Sequence, residues 1–65
     1  MNKREKLILN EIKQKIKKII NERISKHKQI LEQALKDKDY GLAYEQDSMI
    51  YELEYLLIQL DSELE

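Results

Sequence analysis

The sequence predicts an all-α fold: an antiparallel two-helix hairpin that dimerises into a four-helix bundle. Three observations carry that expectation. The 65 residues include no Pro and a single Gly, while Leu, Ile, Lys, Glu and Gln dominate, a mixture that sustains long helices and leaves few turns. Apolar residues recur in steps of three and four on both sides of one break. The chain is also close to the smallest size that buries a core unaided, so a partner subunit or very regular helix packing is needed.

The first helix is expected over about residues 2–37. Its apolar series is Ile8, Ile12, Ile16, Ile19, Ile20, Ile24, Ile30, Leu31, Ala34 and Leu35. At about 100° per residue these fill a single face, which Arg23 and His27 share. The break is "KDKDYG", residues 36–41, with the turn itself expected at about 38–41. There Asp39 can accept the free N–H groups that open a following helix, and Gly41 can take backbone angles other residues avoid. A second helix follows over about 42–63. Its seam is expected along Leu42, Gln46, Met49, Leu53, Leu56 and Leu60, widened by Ile50, Leu57 and Leu64. The short turn makes the first helix its natural mate.

Charge is segregated between the two halves. Residues 3–38 hold 12 basic and 5 acidic side chains, a net +7, whereas residues 39–65 hold 8 acids and no base, a net −8. The halves attract. Antiparallel pairing lays the acidic end of the second helix beside the basic start of the first, and places Glu54 and Asp61 toward lysines such as Lys13 and Lys17. Each helix alone would oppose its own macrodipole at one end, and pairing offsets both faults.

Two apolar surfaces are left over. The stretch "IYELEYLLIQL", residues 50–60, carries apolar side chains on opposite sides. Tyr44, Tyr51, Tyr55 and Ile58 fall within a sector of roughly 60° about opposite the expected seam, so they cannot all face the first helix. The helices also differ in length, roughly 50 Å against 35 Å, so the second reaches back only to about residue 15. Leu7, Ile8, Leu9 and Ile12 then have no mate within their own chain. A homodimer of hairpins accommodates that overhang. The Tyr row becomes part of that interface or the docking site for a larger protein.

Composition excludes much chemistry. With no Cys there is neither a disulfide nor a thiolate zinc site, and His27 alone cannot build a metal centre. No cofactor is expected. The carboxylates of the second helix lack the concave, water-excluding pocket that acid–base catalysis needs, so a non-enzymatic role follows. The run "KQKIKK", residues 13–18, could contact phosphates, with Lys15, Lys18, Lys28 and Lys36 on the polar side of the same helix. Nucleic-acid binding is therefore one alternative function, although the aromatic residues sit on the acidic helix instead. No apolar run approaches the roughly 20 residues that cross a bilayer. The opening "MNKREKLILNEIKQK" returns to charge too soon for a secretory segment, which points to the cytoplasm. The abundance of Lys, Ile and Glu fits a small bacterial or phage protein.

The stretch "LEQALKDKDYGLAYEQDSMIYELE", residues 31–54, resembles the UVR motif, a helical hairpin of bacterial excinuclease subunits and of some protease-chaperone and kinase-activator proteins. Leu31, Ala34, the pair Asp39 and Tyr40, Ala43, Ile50 and Leu53 stand where the motif has Leu, Ala, acidic-aromatic, Ala, Ile and Leu. The resemblance implies an antiparallel hairpin that binds another hairpin, self or partner. The chain departs from the motif at Gly41, at Tyr44 and at Asp47 and Ser48. The stretch "YGLAYEQDSMIYELEYLL" is similar to the second half of the aspartyl-phosphate phosphatases of the sporulation phosphorelay, a resemblance that implies such a phosphatase activity as the other alternative function. Their Ser-x-Glu-Leu-Asp signature is matched at Glu52 and Leu53 but broken at Ile50 and Glu54.

Overall fold

The computed structural model describes residues 2–63. Two helices, α1 (Lys3–Lys36) and α2 (Tyr40–Glu63), lie side by side. Their antiparallel sense is shown by two contacts: residue 27 meets residue 46, and residues 13 and 17 meet residue 61. The predicted hairpin is the observed fold.

Local chemistry explains where each helix begins and ends. Asn2 opens α1, its side-chain oxygen accepting the Glu5 N–H at 2.9 Å. At the other end the Asp39 N–H donates to the Ala34 carbonyl at 2.8 Å and the Lys38 N–H to the Leu35 carbonyl at 3.2 Å. This is the Schellman pair of bonds, which needs a left-handed residue between helix and exit. Lys38 supplies it, with φ of 58°. Asp39 then turns from closing α1 to opening α2: its carbonyl accepts the Ala43 N–H at 3.0 Å and its carboxylate the Leu42 N–H at 3.2 Å.

The turn is therefore shorter than the expected 38–41, and α2 starts at Tyr40 instead of residue 42. Gly41 is not the special position. It lies inside the first turn of α2 without a positive φ, and a Cβ there would meet only the Asp39 carboxylate oxygen, at 3.9 Å. The left-handed conformation falls on Lys38 because that residue follows directly on the last turn of α1.

The seam also differs from expectation. On α2 it follows Ala43, Gln46, Ile50, Leu53, Leu57 and Leu60, all buried or half-buried, while Met49 and Leu56 are exposed. Sequence alone offers both tracks, because apolar residues stand side by side at 49 and 50 and again at 56 and 57. Ala43, buried like Ala34 beside the turn, belongs to the track that is hidden, and a small side chain there favours close helix packing. Leu64 lies outside the described residues. On α1 the seam runs through Ile20, Ile24, His27, Leu31 and Ala34. Ile16, Ile19, Ile30 and Leu35, which share one face with them in the sequence, are exposed, because a single partner helix covers only part of so broad a stripe.

The resulting core is thin. Among the described residues only Ile24, Ala34, Ala43 and Ile50 are buried apolar residues, with Gln46 buried among them. The molecule extends 53 × 16 × 8 Å, and its radius of gyration is 15.6 Å. A compact domain of this length has a radius of roughly 11 Å.

Candidate interaction surfaces

Asp61 fixes the far end of the hairpin. Its carboxylate lies 2.5 Å from the Lys17 ammonium and 3.2 Å from that of Lys13. These two hydrogen-bonded lysines, Lys17 more than Lys13, hold the Asp61 carboxyl below its ordinary pKa. Glu54, expected beside the same lysines, does not reach them. It stands seven residues from Asp61, about 10 Å up the hairpin at about 1.5 Å per residue. It lines a shallow groove with Lys28, Glu32, Asp47, Ile50 and Tyr51 instead.

Because α2 ends level with Lys13 and Lys17, the first ten residues of α1 project beyond it. Leu7, Ile8 and Ile12 are exposed there, as expected of an overhang. Leu9 is half-buried, in line with the seam.

Tyr44, Tyr51, Tyr55 and Ile58 are exposed by 53 to 77%. Around α2 they span about 60° and centre about 140° from the Ala43-to-Leu60 seam. Tyr40, 65% exposed, extends the row by one turn. Tyr40 falls within the turn expected at about 38–41, and its spacing of four from Tyr44 is the signal that places it on the row. Acidic groups border the row, with Asp47 and Glu54 in the groove beside Tyr51.

A second apolar surface spans both helices. On α1 the exposed Ile8, Ile12, Ile16, Ile19 and Ile30 centre about 90° from the seam, and on α2 Leu42, Met49 and Leu56 centre about 70° from theirs. Both displacements run against the direction in which residues advance. In an antiparallel pair that puts them on the same side of the hairpin. Ile30, Ala34 and Leu42 accordingly line one groove near the turn, with Gln33 and Asp39. Tyr51 belongs to the groove on the opposite side. The surface is continuous, and sequence periodicity had assigned most of it to the seam within the chain.

No family model, curated protein or solved structure matches this chain. Among the described residues no three His, Asp or Glu side chains converge as metal ligands, and no helix is long and apolar enough to cross a membrane.

Proposed function

We propose that the chain is a non-catalytic protein–protein interaction module of the cytoplasm: a small regulator, adaptor or inhibitor that forms a homodimer and docks a larger protein through its Tyr row. The single observation behind this reading is that Tyr44, Tyr51, Tyr55 and Ile58 remain exposed on the side of α2 turned away from α1. Tyrosine is suited to such a surface, since the ring packs while the hydroxyl keeps a hydrogen-bond partner, and Tyr is enriched among residues that dominate binding energy. The acidic character of residues 39–65 adds a preference for a basic docking surface. The resemblance of residues 31–54 to the UVR motif supports the same reading.

Two other functions fit less well. Lys13 and Lys17, the reach of "KQKIKK" toward phosphates, are engaged by Asp61. Ile50, at the position where the phosphatase signature carries Ser, is buried in the seam. The decisive experiment captures the partner with the full chain and repeats the capture with Tyr51→Ala combined with Tyr55→Ala. Unchanged capture by the double variant sinks the docking reading.

A further inference from the structure

Resting on the homodimer reading above, we propose that the second apolar surface, not the Tyr row, is the homodimer interface. A second copy closes it about a two-fold axis parallel to the helices. Each α1 then packs between its own α2 and the partner's α2, and both turns lie at the same end.

Area supports an occupant. The hairpin exposes 5579 Å², against roughly 4,400 Å² for a compact monomer of this mass. The excess of roughly 1,200 Å² exceeds the about 800 Å² that each partner contributes to a standard interface. Two rods of unequal length cannot remove that excess by themselves. Face-to-face pairing does so by setting Ile16, Ile19 and Ile30 of one copy against Met49 and Leu56 of the other.

Charge chooses the symmetry. Facing hairpins have two possible two-fold axes in their common plane. An axis across the helices stacks α1 on α1 and α2 on α2, so a segment of net +7 meets itself and one of −8 meets itself. An axis along the helices puts α1 against the partner's α2, and every neighbour in the bundle is then of opposite sign. With interaxial distances of about 8–10 Å, comparable to the Debye length, the difference is felt at physiological salt. The exposed rims agree in detail. Arg23 and Lys26 flank the isoleucines of α1 on this surface, and Glu45 and Glu52 flank Met49 on α2. Preserved register brings Arg23 level with the partner's Glu52. Arg23 interrupts the isoleucine stripe for that reason.

The experiment uses the full chain, whose lack of Cys allows single labels at Lys3→Cys and, separately, Lys36→Cys. Sedimentation equilibrium from micromolar to millimolar concentration is expected to show a dimer. Spin-label distances are expected to be short, about 15–30 Å, at both positions, because the two α1 helices are diagonal neighbours with the same sense. The crossed axis makes both short distances impossible, since positions 33 residues apart then give separations that sum to about 100 Å. Ile19→Glu, at a site 56% exposed in the hairpin, is expected to raise the dissociation constant by at least about 30-fold. If that variant unfolds on dissociating, the label distances still decide. A monomer, a higher oligomer, or one long distance overturns the proposal while leaving Tyr-row docking intact. Failure of the Tyr variants with the dimer preserved overturns only the docking.

Discussion

His27 Nδ1 and Gln46 Oε1 lie 2.5 Å apart, joining the two helices through a polar contact in the middle of an apolar seam. Gln46 is buried, and its carbonyl oxygen accepts from a His27 that carries its proton on Nδ1. An Asn in a coiled-coil seam fixes register in the same way, because any slip leaves a buried amide unpaired. His27→Ala is therefore expected to cost about 1–3 kcal/mol, the cost of stranding the Gln46 amide. Gln46→Leu paired with His27→Leu is expected to be neutral or stabilising, with slower, less specific register. Urea melts at fixed protein concentration measure both.

The turn holds stored strain at Lys38, whose φ of 58° costs any residue with a Cβ. Lys38→Gly is expected to stabilise the fold by about 0.5–1 kcal/mol. Gly41→Ala acts in the same direction by about 0.4–1 kcal/mol, through the unfolded chain, because its helical backbone and open surroundings accept a Cβ. Asp39→Ala, which removes the carboxylate that accepts the Leu42 N–H, is expected to lose about 1 kcal/mol. Thermal melts separate the three, and reversal of the first two signs contradicts the turn geometry.

The Asp61 ion pairs make the open end of the hairpin sensitive to pH. The carboxyl pKa is lower in the folded chain than in the unfolded one, so the stabilisation is fully present above the ordinary Asp value of about 3.9. It is lost as pH falls through the lower folded value. Amide exchange in the last turn of α2 is expected to accelerate across that window and at high salt. Asp61→Asn, lacking the titration, shows fast exchange at every pH.

Tyr51→Ala and Tyr55→Ala are expected to change stability by less than about 0.5 kcal/mol each, since neither ring is part of the seam. A large loss of melting temperature would show that the Tyr row is packed in solution.

Much of this architecture is legible in the sequence. Helix content, the single break near Asp39, the overhang and the outward Tyr row all follow from periodicity and length, which are properties of one chain of backbone. Asp61 near Lys13 and Lys17 follows from charge and antiparallel pairing. Glu54 does not, because pairing partners depend on register and two apolar tracks are available on α2.

The sequence by itself determined that there would be two helices, their order, their opposite charge and the excess of apolar surface. Only the tertiary structure decided which apolar residues are spent within the chain. The burial of Ala34 and Ala43 beside the turn and the His27–Gln46 contact select the Ile50–Leu57 track, which turns Met49, Leu56 and the row from Ile8 to Ile30 outward. The physical reason is that helical periodicity defines a stripe wider than one partner can cover, and only the rotation of each helix about its axis settles which part of it is hidden.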